Sequence, residues 1–251
     1  MTAALQARGV TKRYGGNTIV DGVDLTVDDG CITVIVGPNG AGKTTLFNCL
    51  AGVDPPDSGT VWHRGDDVTG WSPDRLTRHG AARTFQRSSV FPTLSVADNF
   101  LVAAENHRRR GLLRGLAGLS DHGTHRARAS VTDVLAELGL AALASVRAGV
   151  LPSGTLRLVE LGRALCAEPD TLLLDEPASG LDDRETDEFH EVLRRLRARK
   201  LAVLMVEHDL ELVHDAADVV HVMASGRVIA SGAPADVFGR DDVRAVFGPI
   251  S

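Results

Sequence analysis

The sequence predicts an α/β fold with a largely parallel β-sheet, and three observations support this prediction. Short apolar runs typical of buried strands alternate along the chain with capped or amphipathic helical segments. A glycine-rich loop at residues 37–45 joins one such strand to a helix. A later buried strand ends in two adjacent carboxylates, Asp175 and Glu176, at the position where open α/β sheets place their ligands.

The chain begins with a β-rich section. Residues 5–10 and 23–27 are predicted to be short strands, and the second ends in a turn at residues 28–30. A turn-like segment between the two strands holds Tyr14, the only tyrosine of the chain. An aromatic ring at this place either packs at the rim of the domain or stacks on an adenine. The phosphate-binding loop that follows favours stacking.

The glycine-rich loop has the flanks that a phosphate-binding loop needs, because residues 31–36 are predicted to be a strand and residues 44–50 a helix. Its glycines let several backbone N–H groups point inward at a helix N-terminus, where anions bind. Lys43 supplies a positive charge for the β- and γ-phosphates, and the Thr44 hydroxyl is a ligand for Mg²⁺. The predicted nucleotide-binding residues are Gly37, Pro38, Asn39, Gly40, Ala41, Gly42, Lys43, Thr44 and Thr45.

The elements after this loop alternate between strand and helix. Residues 60–63 and 81–85 are predicted strands, and Ser72 followed by proline marks the start of a helix between them. Residues 95–104 begin with a sequence similar to a capping box and are predicted to be a helix.

Residues 105–128 differ in character, because they are rich in arginine and glycine and show weak periodicity. One interpretation is a solvated, partly mobile insertion. The other is a basic face that lies near anionic headgroups or a permease loop. A helix is predicted from about residue 127 to Gly139, a residue type that suits the position just past a helix end.

The C-terminal half predicts further α/β alternation. Residues 155–167 and 182–200 are predicted helices, and the second is the most amphipathic segment of the chain. Residues 171–174 and 202–206 are predicted buried strands, and a hairpin is predicted over residues 219–231.

Length, residue composition, net charge and cysteine content exclude several classes of protein. The chain has 251 residues, of which 43% are hydrophobic and 24% charged, as in a globular protein with a sizeable core. The longest apolar run, residues 201–206, is far shorter than the roughly 20 residues that cross a bilayer, and no signal-peptide pattern is visible. We therefore expect a cytoplasmic protein. A net charge of −6 gives no case for nucleic-acid binding, and three cysteines without a C-x-x-C pair indicate neither disulfides nor zinc.

The two carboxylates that follow residues 171–174 have different predicted tasks. Asp175 holds Mg²⁺ through water, as Walker-B carboxylates do. Glu176 accepts a proton from the water that attacks the γ-phosphoryl group, or orients that water. Strands often end in aspartate, so the pair is informative because it follows a phosphate-binding loop at the expected distance.

Several motifs occur in the order found in ATP-binding-cassette ATPases, and the chain resembles that family over essentially its whole length. These motifs are Tyr14, residues 37–45, Gln86, residues 151–155, residues 172–176, residues 179–182 and His208. The resemblance implies a P-loop NTPase with a RecA-like core, an antiparallel β subdomain and an inserted α-helical subdomain. It implies one ATPase domain over residues 1–251, with the core and β subdomain at about 1–87 and 158–251 and the helical subdomain at about 88–157.

The same resemblance implies roles for single residues. Tyr14 stacks on the adenine, and Gln86 links the γ-phosphate and Mg²⁺ to the helical subdomain. His208 contacts the γ-phosphate, and Asp182 lies in a loop that crosses to a second cassette, so that two cassettes close head to tail over two ATP molecules. The implied cofactors are ATP and Mg²⁺. The predicted catalytic residues are Lys43, Gln86, Glu176 and His208, and the predicted Mg²⁺ ligands are Thr44, Gln86 and Asp175.

The signature loop departs from the family pattern, which usually reads Leu-Ser-Gly-Gly-Gln. This chain has Pro152 in place of the serine, followed by Ser153, Gly154 and Thr155. Proline removes a hydroxyl and a backbone N–H that could face phosphate. We expect that Ser153, Gly154 and the helix N-terminus make the contacts with the opposite cassette, that Ser153 caps the following helix, and that turnover is slower than with serine.

Residues 82–86 and 91–99, the arginine-rich insertion and the C-terminal end resemble bacterial ATPases that energise uptake of branched-chain amino acids. The implied partners are integral membrane permease subunits, a second ATPase subunit, identical or different, and indirectly a periplasmic or lipid-anchored solute-binding protein. No nucleic-acid partner is expected. The chain would then lie on the inner face of the membrane through its permease. The apolar cluster Val90, Phe91, Pro92 and Leu94 either packs in the helical subdomain or receives a permease helix.

Two alternatives stay open at this level. In the first, the chain is the ATPase of an importer or exporter for another solute, such as urea, amides or lipid. This alternative stays open because the solute never touches the ATPase subunit, so its residues cannot identify the solute. Otherwise it is a non-transport ATPase that acts with soluble or nucleic-acid partners. Such proteins usually carry coiled-coil insertions, zinc modules or tandem cassettes, and the sequence has none of these features.

Overall fold

A computed structural model describes residues 3–84, 90–112 and 122–247 of the chain. By internal contacts the chain divides into two units. The first unit contains the residues up to Arg83, Asp170–Ser179 and the residues from Leu193 onwards. The second unit contains Thr84–Pro169 and Gly180–Val192.

The described elements alternate between strands and helices. In chain order the strands are β1 (Ala3–Tyr14), β2 (Asn17–Asp28), β3 (Ile32–Val36), β4 (Ser58–His63), β5 (Asp66–Asp67), β6 (Ala81–Arg83), β7 (Thr171–Asp175), β8 (Ala202–Val206), β9 (Val219–Ala224) and β10 (Arg227–Gly232). The helices are α1 (Lys43–Leu50), α2 (Pro73–Arg78), α3 (Val96–Leu112), α4 (His122–Glu137), α5 (Ser153–Leu165), α6 (Asp183–Ala198), α7 (Leu210–Ala216), α8 (Pro234–Phe238) and α9 (Asp241–Phe247).

The first unit is built on a mostly parallel sheet with the strand order β10-β9-β3-β8-β7-β6. Strands β9, β3, β8, β7 and β6 pair in parallel, and β10 returns antiparallel to β9. Every residue of β3, β7 and β8 is buried, which explains their continuous apolar sequences. The α/β class and the parallel sheet predicted from the sequence are therefore confirmed.

A second, antiparallel sheet of the same unit has the order β2-β1-β4-β5. Helix α1 contributes Leu46, Phe47 and Leu50 to a core that also takes side chains from both sheets. The helix that follows the glycine-rich loop is thus fixed by apolar packing.

The second unit is mainly helical, and α3, α4 and α5 pack against one another. Phe100 of α3 is fully buried, and its ring lies against Gly162 of α5. A Cβ atom on Gly162 would come within 2.0 Å of that ring, so a glycine is needed where the two helices meet.

Several boundaries differ from the sequence-based predictions. Strands β1 and β2 have 12 residues each, because their pairing continues to Tyr14 and Asn17 at the connecting turn. Helix α3 continues to Leu112, and α4 already begins at His122, so helical backbone covers both ends of the segment 105–128. Alanine and arginine are good helix formers, which explains the extension. The rest of that segment lies outside the described residues.

Among the residues that the structure describes, none of the helices combines the length and the apolar character that a membrane crossing requires.

Candidate functional site

Three parallel strands of the first unit end side by side. In the pairing of β3 with β8, Ile35 is opposite Val206, and in the pairing of β8 with β7, Val206 is opposite Asp175. The segments that follow these strands are the glycine-rich loop, Glu207 with His208, and Glu176 with its loop. The sheet therefore brings three segments that are distant in sequence to one edge.

The glycine-rich loop has the backbone conformation that its sequence predicts. Gly40 and Gly42 have φ angles of +80° and +96°, in the region that favours glycine. A Cβ atom on Gly42 would lie 2.6 Å from the carbonyl oxygen of Ile19. Gly42 is the N-cap of α1, and no side chain caps this helix. Its N-terminal N–H groups are thus available to an anion.

Lys43 begins α1 and is 8% exposed. Its Nζ donates hydrogen bonds to the carbonyl oxygens of Gly37 and Pro38, at 2.6 and 3.1 Å. Burial lowers the pKa of Lys43, and the negative charge of Glu176 acts in the opposite direction. The ammonium group is folded back on its own loop, where a phosphate could replace the carbonyl oxygens.

The other predicted loop residues differ in their exposure. Ala41 is buried, and its carbonyl oxygen accepts a hydrogen bond from the Gly226 N–H at 3.0 Å. Thr45 is half-buried. The exposed residues of the loop are Pro38, Asn39, Gly40 and Thr44.

Asp175 is buried beside a cation. Its Oδ2 accepts a hydrogen bond from Nη2 of Arg83 on β6 at 3.1 Å, and the Arg83 guanidinium also lies 4.8 Å from the ring centre of Phe47. Burial raises the pKa of Asp175, and Arg83 opposes this effect. The second carboxylate oxygen, Oδ1, is buried without a hydrogen-bond partner.

That unpartnered oxygen bears on the predicted Mg²⁺ site. A carboxylate oxygen and a hydroxyl are ligands of the kind that Mg²⁺ uses, and Thr44 is exposed at the start of α1. Asp175 and Thr44 therefore fit the predicted ion. The third predicted ligand, Gln86, lies outside the described residues, as do the neighbouring residues 85 and 87–89.

Glu176 has an uncommon backbone conformation. Its φ angle is +47°, which few non-glycine residues adopt. Its N–H donates to the carbonyl oxygen of Val206 at 3.0 Å, and its own carbonyl accepts from the Ser179 N–H at 3.1 Å. These bonds hold the half-buried residue at the end of β7, where the strand direction changes.

His208 lies between the end of β8 and α7, and its side chain is 60% exposed. Asp209 caps α7 by accepting hydrogen bonds from the N–H groups of Glu211 and Leu212. His208 Nδ1 lies 3.7 Å from Oε2 of the fully buried Glu207. His208, the residue predicted to contact the γ-phosphate, is therefore accessible and lies between a buried strand and a capped helix.

Tyr14 is the last residue of β1 rather than part of an irregular turn, and it is 47% exposed. Its hydroxyl donates a hydrogen bond to Asp54. Lys12 Nζ contacts the same carboxylate at 2.5 Å and lies 5.5 Å from the tyrosine ring centre. The ring is thus anchored at its hydroxyl, which limits its orientation.

The signature residues lie in the second unit, and one expectation about them is wrong. Helix α5 begins at Ser153, so Pro152 occupies the N-cap position, and no side chain caps the helix. Pro152 has the extended backbone angles of an N-cap residue, with φ −57° and ψ 159°, and Ser153 is the first helical residue. Ser153 is exposed, Gly154 is buried and Thr155 is half-buried.

Asp182 is tied to the same neighbourhood. Its Oδ1 accepts from the Glu185 N–H at 2.8 Å, and its N–H donates to Oε2 of Glu185 at 3.2 Å, which is a capping box at the start of α6. A Cβ atom on Gly154 would lie 2.3 Å from the Glu185 carboxyl group. These residues border a cleft of about 260 Å³, together with Pro152 and Thr155.

Sequence reasoning did not identify the functional neighbours Arg83, Glu185 and Glu207. For Glu185 a signal was present, since Asp182 and Glu185 have capping-box spacing before an amphipathic helix. For Arg83 and Glu207 the contacts depend on which strands are adjacent, and the sequence does not show strand order.

Comparisons with known proteins give the family. The family model of ABC transporters matches residues 20–179. The high-affinity branched-chain amino acid transport ATP-binding protein BraF of Pseudomonas aeruginosa is 35% identical over 242 residues, 95% of each chain. The corresponding protein LivG of Escherichia coli K12 is 36% identical over 250 residues, 97% of each chain.

A solved ATP-binding cassette of an ABC transporter, in its ADP conformation, has the same fold. Its TM-score is 0.83 at 28% identity, with 98% of this chain and 99% of that chain covered. The predicted fold class and family are both confirmed. The chain belongs to the ABC transporter family and is one of its ATPase subunits.

Proposed function

We propose that this ATPase drives a membrane permease that imports branched-chain or similar hydrophobic amino acids, with ATP hydrolysed between two head-to-tail cassettes. The observation that carries the ATPase part is the shared edge of β3, β8 and β7, which places Lys43, Glu176 and His208 on adjacent segments. The solute class comes from the relatives, whose names state branched-chain amino acid transport.

Lys43, Glu176 and His208 each have a task in phosphoryl transfer, where catalysis is mainly positioning and electrostatic stabilisation. The N-terminus of α1 and Lys43 bind the β- and γ-phosphates. Glu176 accepts a proton from the attacking water or orients it, and the exposed His208 contacts the γ-phosphate. Tyr14 stacks on the adenine.

Mg²⁺ would be held by Thr44 and Asp175, with Gln86 as a further ligand. When bound, the ion neutralises charge on the phosphate oxygens. The buried, unpartnered Oδ1 of Asp175 supports this assignment, because an orphaned carboxylate oxygen is costly unless a ligand completes it. Arg83 holds the other oxygen and so orients the carboxylate.

The signature residues would complete the site of a second copy or of a different ATPase subunit. Pro152, Ser153, Gly154 and Thr155 lie at or near the uncapped N-terminus of α5, which suits contact with a phosphate. Asp182 heads α6 beside them. We further propose that residues about 88–157 form the helical subdomain and that the remainder forms the core and the β subdomain. The packing of α3 against α4, which both lie within residues 88–157, supports a helical subdomain there.

The apolar cluster near residue 91 supports a permease partner. Val90 is buried, whereas Phe91 is 43% exposed and Val150 is 75% exposed. The side chain of the buried Asn99 binds both the N–H and the carbonyl of Phe91, at 2.8 and 3.0 Å. The Gly149 N–H donates to the carbonyl of Pro92 at 2.9 Å. An apolar surface held this firmly suits a docking helix, and the ATPase would lie on the inner face of the membrane through it.

The partner prediction is tested by purification from native membranes. A tagged Glu176→Gln variant, purified with Mg-ATP, is expected to bring integral permease subunits and, for an importer, a solute-binding protein. Mass spectrometry identifies them. The same chain with Val150→Asp is the matched control and should recover less permease, because a charge in an apolar interface is costly. Recovery of soluble or nucleic-acid partners alone would favour the non-transport alternative.

ATP affinity is expected to fall as pH rises, at a lower pH than would be expected for a lysine with an ordinary pKa. Burial lowers the pKa of Lys43, so its charge is present below that lowered value and is lost as pH rises through it. Equilibrium binding of a fluorescent ATP analogue between about pH 7 and 10 measures this. Lys43→Arg should bind more weakly but without the alkaline fall, because a guanidinium does not titrate there. Parallel curves for both proteins would contradict the assignment.

A further inference from the structure

Glu207 is a fully buried carboxylate that the proposed reaction does not use. It follows the last residue of β8, and its side chain has no exposed surface. A carboxylate is tolerated in such a place when hydrogen-bond donors surround it. Its donors therefore show what it holds.

These donors are backbone N–H groups of two loops. The Ala178 N–H donates to Oε1 at 2.9 Å, and the His208 N–H donates to Oε2 at 3.1 Å. The Asp209 backbone adds a further hydrogen bond. Ala178 is two residues beyond Glu176. One carboxylate thus joins the loop that follows β7 to the loop that follows β8.

Both ionisation and geometry fit this arrangement. Burial raises the pKa of Glu207, and the hydrogen bonds from the N–H groups of Ala178, His208 and Asp209 oppose that effect. A carboxylate accepts with both oxygens, whereas an amide or a protonated acid presents a donor on one side. The ionised form is the one that satisfies both loops together.

The loop after β7 is a place where such support matters. Glu176 has a φ angle of +47°, which a non-glycine residue keeps only when its surroundings hold it. The bonds to Val206 and from Ser179 hold its backbone. The charge-assisted bond from Ala178 to Glu207 fixes the middle of the same loop.

We propose that Glu207 is a positioning residue, which sets the relative placement of the Glu176 carboxylate and the His208 side chain by binding the backbone of both loops. The proposal rests on the proposed ATPase function. The phosphate-binding loop lies on another strand, so loss of Glu207 should leave ATP affinity largely unchanged. A small displacement of the reacting groups would nevertheless slow the chemical step.

Two substitutions of similar volume test this inference. Glu207→Gln keeps one acceptor oxygen, and Glu207→Leu keeps none. Single-turnover hydrolysis is expected to fall about tenfold with glutamine, which is neutral and keeps one acceptor oxygen, and about a hundredfold with leucine, which keeps no acceptor. ATP affinity should stay within about threefold of the unchanged protein. Amide hydrogen exchange at Ala178 and His208 should accelerate in both variants.

The control is Glu160→Gln, which replaces another buried glutamate, paired with Arg157 on α5 and placed in the second unit. It should alter neither the exchange of the two amides nor the rate. Unchanged exchange at Ala178 and His208 in Glu207→Gln would overturn the proposed positioning role of Glu207. A loss of ATP affinity as large as the loss of hydrolysis rate would also overturn it. Exchange does not depend on hydrolysis. If exchange accelerates in the Glu207 variants but the protein without substitutions shows no ATPase activity, the proposed function is wrong and the positioning role stands. If exchange does not accelerate in the variants, the positioning role is wrong.

Discussion

Replacing Glu176 by glutamine is expected to lower ATP turnover by at least about a hundredfold and to leave ATP binding intact. Glutamine has nearly the same shape but cannot take a proton from water. Lys43 and the N-terminus of α1, which bind the phosphates, are unchanged by the substitution. Phosphate release under saturating Mg-ATP measures the turnover, and equilibrium binding of the nucleotide measures the affinity.

A matched control is Glu188→Gln, which removes an exposed carboxylate paired with Arg184 on α6. Its turnover should equal that of the unchanged protein. Near-normal turnover of Glu176→Gln would remove Glu176 from the proposed catalytic role. A joint loss of binding and turnover would assign it to nucleotide binding instead.

Replacing Asp175 by alanine is expected to lower the free energy of unfolding by about 3 kcal/mol. The guanidinium of Arg83 has only 11% of its side chain exposed and would lose its carboxylate partner. Burial lowers the pKa of Arg83, and the neighbouring Asp175 opposes that effect. Denaturant unfolding without Mg²⁺ or nucleotide isolates this effect from ligand binding.

A double-mutant cycle provides the control. Arg83→Met alone removes the cation and leaves Asp175 buried. Adding Arg83→Met to Asp175→Ala should recover at least about 1 kcal/mol, because the buried cation that has lost the Asp175 carboxylate is then absent. If the losses of unfolding free energy in the two single variants simply add up in the double variant, the ion pair of Arg83 and Asp175 does not stabilise the fold.

Much of the fold could be predicted because its signals are local. The glycine-rich loop between residues 31–36 and 44–50 is specified by a few neighbouring residues, and the structure has β3 and α1 there. The hairpin of β9 and β10 was predictable from Ser225 and Gly226, which have φ angles of +49° and +80°. Ser72 and Pro73 also begin α2 as expected.

The contacts that refine the site were not predictable, because they cross between strands. Arg83 is opposite Leu173 in the pairing of β6 with β7, and it reaches Asp175 two residues farther along the same face. Nothing in the sequence around Arg83 states that β6 is next to β7. The bond between Glu207 and Ala178 likewise requires β8 to be next to β7.

Helix boundaries failed for a different reason. Pro152 as N-cap contradicts the usual preference for serine, because the proline conformation before Ser153 leaves that serine inside the helix. The extension of α3 to Leu112 follows from good helix formers in a segment that lacks amphipathic periodicity. Periodicity indicates a helix where apolar residues repeat along one face, and residues 105–112 have no such repeat in the sequence.

The common end point of β3, β8 and β7 restricts how the gene can change in length. Removing one codon within β7 would turn Asp175 to the opposite face of the sheet or draw Glu176 out of line with the other two strand ends. Codons added between elements lengthen a loop at little entropic cost. Insertions and deletions are therefore tolerated in the loops between strands, whereas the lengths of β3, β7 and β8 must stay the same during evolution.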